Sequence, residues 1–123
     1  MEAQKLSKAV TSALTYIEES IIAQAKSDQN KVIQLNWKAA SDLEYCLFLF
    51  SLINPNDTRS SSWKLYLPKQ PEIEVLLTST RDLLIEAIES LDANDLKEAY
   101  KKTWLARGQI LQIHDFYEKK RGK

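Results

Sequence analysis

Between Met1 and Asn54 the chain holds neither glycine nor proline, and the same is true from Glu72 to Arg107. Without residues that break or reverse the backbone, stretches this long fold as extended helices rather than as short strands joined by tight turns. All three prolines (Pro55, Pro68 and Pro71) fall in one segment, and the two glycines are Gly108 and Gly122. The expected class is therefore all-α. The 123 residues suit a single domain, and 44% hydrophobic residues are enough for a buried core.

Apolar periodicity sets the helices. The first is expected over about residues 3–25, where Leu6, Val10, Ala13, Ile17 and Ile21 recur at spacings of three and four. The second is expected over about 31–53 and carries two stripes. Val32, Leu35, Ala39, Leu43, Cys46, Phe50 and Ile53 line one face, and Trp37, Tyr45, Phe48 and Leu52 lie nearly opposite. The third, about 72–91, has a single stripe of Ile73, Leu76, Leu77, Thr80, Leu84, Ala87, Ile88 and Leu91. The fourth is expected over about 95–120 and ends in the basic run EKKRGK. Polar connectors join the helices in pairs: Ser27, Asp28 and Asn30 before the second, and DANDL before the fourth, with Asn94 or Asp92 as the expected cap. No pattern of residue identity repeats along the chain. The architecture expected is an antiparallel up-and-down four-helix bundle with a long loop, residues 54–71, between helices 2 and 3.

Helix 2 poses the functional question. A helix that is apolar on two faces needs cover on both, and a bundle covers only one. Two candidates can cover the Trp37, Tyr45, Phe48 and Leu52 face. One is the loop's own WKLYL, which holds Trp63 and Tyr66. The other is a second copy of the chain, for which the Trp104 and Leu111 edge of helix 4 is the alternative contact surface. The charges balance, with 17 basic and 17 acidic residues, so copies do not repel one another and nucleic acid is not the favoured partner. The longest apolar run, Tyr45 to Ile53, is about half of the roughly 20 residues that span a bilayer, so no membrane partner is expected. A single cysteine, Cys46, excludes a disulfide within the chain and a cysteine-based metal site, and fits a reducing cytoplasmic setting. No cofactor or metal is implied. The reading is a non-enzymatic, self-associating interaction module, with a dimer as the expected form.

A second reading rests on RGQILQIHD, residues 107–115. Arg107 and the chain's one histidine, His114, are seven residues apart and share a face of helix 4. On the helical wheel that face also holds Leu96, Ala99, Tyr100, Thr103, Trp104, Ala106, Ile110, Leu111, Ile113 and Tyr117, so both polar groups are expected in an apolar setting, Arg107 with an acid as partner and Asp42 as the best placed. An arginine, six residues, then a histidine on a small helical domain resembles the HEPN family of helical-bundle domains, which often dimerise and some of which cleave RNA. The resemblance implies that Arg107 holds a phosphate and His114 assists proton transfer. It covers eight residues, and Gly108 stands where that family usually has a polar residue.

Overall fold

The computed structural model describes residues 2–53 and 72–121. The fold is the expected all-α antiparallel four-helix bundle. Its helices are α1 (Glu2–Ala25), α2 (Gln29–Ile53), α3 (Ile73–Asp92) and α4 (Leu96–Arg121). Residues 54–71, and with them the expected cover by Trp63 and Tyr66, lie outside the described residues.

Both short connections use the same chemistry. Ser27 and Asn94 adopt left-handed backbone conformations, with φ of 60° and 62°. Each closes the preceding helix with a paired backbone motif. Asp28 N–H donates to Ala23 O (2.9 Å) and Ser27 N–H to Gln24 O (3.0 Å); Asp95 N–H donates to Ser90 O (2.8 Å) and Asn94 N–H to Leu91 O (3.0 Å). The next residue is an aspartate that opens the following helix. Asp28 Oδ1 accepts from Lys31 N–H and Asp95 Oδ1 accepts from Glu98 N–H, both at 3.2 Å. The cap of α4 is thus Asp95, not Asn94 or Asp92, because Asn94 already serves as the left-handed stop of α3. The Asp28 cap likewise starts α2 at Gln29, ahead of the first apolar residue of its stripe.

These two hairpins pack side against side. α1 contacts α2 and α3, and α4 contacts α3 and α2, which places α1 opposite α4 and α2 opposite α3. Tyr117 near the end of α4 donates to Gln24 near the end of α1, and Phe50 near the end of α2 stacks on Tyr100 near the start of α4. Directions therefore alternate around the ring, and every packed pair is antiparallel. α2 ends and α3 begins at opposite ends of the bundle, since Ile73 shares an end cavity with Gln24 and Gln29, so α2 and α3 run the same way across the diagonal and the chain order is up-down-down-up rather than the simple up-and-down order expected from the sequence.

A repeat invisible in residue identity appears in burial. Asp95 lies 67 positions after Asp28, and every buried residue of α3 and α4 has a buried counterpart at that offset. Ile73, Leu76, Leu77, Thr80, Leu84 and Ala87 match Leu6, Ala9, Val10, Ala13, Ile17 and Ser20. Ala99, Thr103, Ala106, Ile110, Ile113 and Tyr117 match Val32, Asn36, Ala39, Leu43, Cys46 and Phe50. The bundle is an approximate two-fold of one hairpin design, with Trp37 and Trp104 as equivalents on the outer side. Among the described residues the buried side-chain atoms Asn36 Oδ1, Asp42 Oδ2 and Gln112 Oε1 have no hydrogen-bond partner, and other buried polar groups are tied down. Asn36 Nδ2 donates to Ile110 O across α2 and α4 (3.1 Å), and the hydroxyls of Ser20, Thr80 and Thr103 donate to carbonyls one turn back.

The equivalent turns differ in strain. A serine in the left-handed region is less at ease than an asparagine, whose side chain tolerates it. Ser27→Gly is expected to raise stability by about 0.5–1 kcal/mol and Asn94→Gly by distinctly less. Urea denaturation of the two variants beside the parent checks this, and an equal effect at both turns would refute the assignment of strain to Ser27.

Candidate surface for association on helices 2 and 4

On α2, Asn36 and Ala40 point toward α4 and the core, and the side of the helix that is left open carries the second stripe. Trp37 is 54% exposed, Tyr45 49%, Phe48 57% and Leu52 56%. At about 100° per residue the four fall within one arc roughly 80° wide, with Ser41 among them and Glu44 about 20° beyond its Trp37 edge, on the side toward α4. Three half-exposed aromatic side chains and a leucine on one helix face exceed the scatter of single apolar residues on an ordinary surface. Beside them on α4 stand Leu111, 40% exposed, and the half-buried Trp104 and Gly108.

Arg107 and His114 sit at the seam where this face meets α2. Arg107 Nε donates to Glu44 Oε1, and the pair is partly open to solvent, at 32% and 55% side-chain exposure. His114 is half-buried, its ring edge-on to Trp37 with centroids 4.6 Å apart and planes at 65°. The expected partner of Arg107 was Asp42, and the structure corrects this. Asp42 is two residues, or about 200°, away from Glu44 around α2, and it faces α1 beside Lys5, Lys8 and Ser12. Both ends of the correct pairing are legible in hindsight. Trp37 and Glu44 are seven apart, as are Arg107 and His114, and an antiparallel α2·α4 contact that matches one pair matches the other.

The chemistry of this seam is limited. The guanidinium is engaged by a carboxylate, and the imidazole has an indole against it. Cys46 is buried in the core, where desolvation pushes its thiol from 9.0 up to about 12; the hydrogen bond with Thr103 pulls the other way and the nearby Asp42 charge adds to the rise. A cavity of about 330 Å³ at the end of the bundle is lined by Gln24, Gln29, Glu72, Glu74, Phe116 and Tyr117, and neither Arg107 nor His114 lines it. Burial raises the Tyr117 hydroxyl there. Among the described residues no group of three or more histidine, cysteine, aspartate or glutamate side chains could hold a metal ion, and no helix is long and apolar enough to cross a membrane. No protein-family model, curated protein or solved structure matches the chain.

The buried thiol gives a pH signature. The unfolded chain releases the Cys46 proton near pH 9 while the folded chain holds it to about 12, so stability falls as pH rises through that window. A thiol reagent at pH 8 is expected to label Cys46 only on global unfolding, with full labelling in denaturant. Rapid labelling of the native protein would contradict its burial.

Proposed function

We propose that this protein is a non-enzymatic interaction module that self-associates through the open face of α2 and the adjoining edge of α4. The observation that carries this reading is the exposed stripe of Trp37, Tyr45, Phe48 and Leu52 on a helix whose other side already fills the core. Large aromatics concentrated on one patch, with a polar rim, are the usual composition of an interface centre. Balanced charge adds no long-range repulsion between copies. The single buried thiol fits a reducing compartment, and we place the protein in the cytoplasm on that ground.

The RNA-directed reading draws less support. A phosphate at Arg107 would have to share the guanidinium with Glu44, and two anionic groups on one cation repel. The surface around the pair is apolar rather than basic, so it supplies little of the electrostatic pull that holds a nucleic-acid backbone.

Two measurements separate these readings. Light scattering coupled to size exclusion is expected to show a dimer fraction that grows between about 1 and 100 μM protein, the range of a small interface. Phe48→Glu should remove the dimer while changing folding stability by no more than about 0.5 kcal/mol, as its side chain contributes little to the core. A monomer at every concentration would refute self-association. Incubation with single-stranded RNA is expected to leave the RNA intact, whereas cleavage that His114→Ala abolishes would restore the nuclease reading.

A further inference from the structure

Resting on the self-association just described, we infer that the partner is a second copy arranged about a two-fold axis parallel to the helices, with the Glu44–Arg107 ion pair exchanged between the copies. The argument starts from where the charges lie. Glu44 on α2 and Arg107 on α4 are side by side within the face, flanked by Trp37 and Phe48 on one helix and by Leu111 on the other. A two-fold interface joins the same patch to itself, so its axis lies in the plane of contact.

Two orientations are natural. With the axis across the helices, α2 lies over α2 and Glu44 meets Glu44, a like-charge contact in a desolvated patch. With the axis along the helices, α2 of one copy lies over α4 of the other. Glu44 then faces Arg107 of the second copy, and Arg107 faces the second Glu44. Glu44 and Arg107 each meet an opposite charge across the interface in that orientation and not in the other.

Shape is compatible with this orientation beside the exchanged pair. In the register that sets Trp37 by His114 and Glu44 by Arg107, Gly108 lies at the height of Leu43, between the larger Trp104 and Leu111, and its missing side chain lets the second copy's α2 approach the α4 backbone there. The footprint fits a reversible contact. Trp37 to Leu52 spans about 22 Å at 1.5 Å per residue, and two helices side by side are about 20 Å wide. That is on the order of 450 Å² of flat area per copy, at the low end of specific interfaces.

A charge-swap experiment tests the exchange. Glu44→Arg and Arg107→Glu are made separately and together in one chain, with folding checked by circular dichroism and dimerisation by sedimentation equilibrium. Each single variant alone places like charges across the interface and is expected to dimerise at least about tenfold more weakly than the parent. An equimolar mixture of the two single variants pairs arginine with glutamate at both contacts and is expected to recover dimer to within about threefold of the parent. The double variant, whose charges are swapped within each chain, should dimerise like the parent and shows that the substitutions are compatible with folding. A mixture no tighter than the single variants overturns the exchange, since a pair held only within each chain gains nothing from mixing. The parent's own dimerisation then decides whether the broader reading stands. A parent that is monomeric but dimerises when residues 63–67 are replaced by a glycine–serine linker overturns the inference and assigns the face to the chain's own WKLYL segment.

Discussion

A helix at the corner of a four-helix bundle has two neighbours and one open side, and that constraint governs this molecule. α1 and α3 conform to it, each with one apolar stripe turned inward and a mostly polar exterior. α2 does not. Its inner stripe, with Val32, Leu43, Cys46 and Phe50 essentially inaccessible, already supplies the bundle. Trp37, Phe48 and Leu52 are therefore surplus to the core, and each forgoes burial at about 25 cal/mol per Å² until something covers it. The stability of the fold does not rest on them, which leaves their surface free for association.

The 67-position correspondence shows how the constraint is met twice. Burial recurs at each inward position: Ala39 and Ala106 are both small residues, and Asn36 and Thr103 are both buried polar groups that find carbonyl partners. At outward positions the two hairpins differ in chemistry. Ser41 and Glu44 on α2 correspond to Gly108 and Leu111 on α4, and Phe48 corresponds to Asp115. Two surfaces of related shape but different content now stand side by side. In the proposed dimer, that difference would let one receive the other.

Much of the bundle was legible because periodicity and capping report directly on helices. The inward stripes of α1 and α3 were legible because the apolar residues on their outer sides, Ile22 on α1 and Val75 and Ile85 on α3, are too few to form a competing stripe. α4 was harder. Its core stripe is Ala99, Thr103, Ala106, Ile110, Ile113 and Tyr117, and the wheel was drawn toward the exposed Leu111 and half-buried Trp104. That shift brought Arg107 and His114 to the centre of an apparent apolar arc, while in the fold they stand about 60–80° from the centre of the core stripe, at the seam with α2. The repeat is hidden for a related reason: what the hairpins share is the pattern of burial rather than side-chain volume or identity, and matching residues such as Asp28 and Asp95 or Trp37 and Trp104 are a minority. The partner of Arg107 depended on the lateral register of α2 against α4, which no pattern within a single helix encodes.

A charged pair amid aromatics is poor design for affinity alone, because an interface of the same size made only of apolar side chains avoids the cost of desolvating two ions. Its value lies in discrimination. An unmarked apolar stripe accepts any amphipathic helix in either direction, whereas one containing Glu44 and Arg107 penalises every partner and orientation that leaves either charge unmatched. In the single chain the pair is partly solvated and adds about 0–1 kcal/mol at most. It nevertheless holds both side chains at the seam, already extended over the surface where a partner would meet them. In the proposed dimer, exchange between copies would replace one carboxylate–guanidinium contact by another of the same kind, so no buried charge would be left without a counter-charge. The weakness of the pair within the single chain would then suit it to specify the assembly: little is lost in breaking it, and a mismatched partner, unable to restore it in a drier setting, would be rejected by more than the pair contributes to folding.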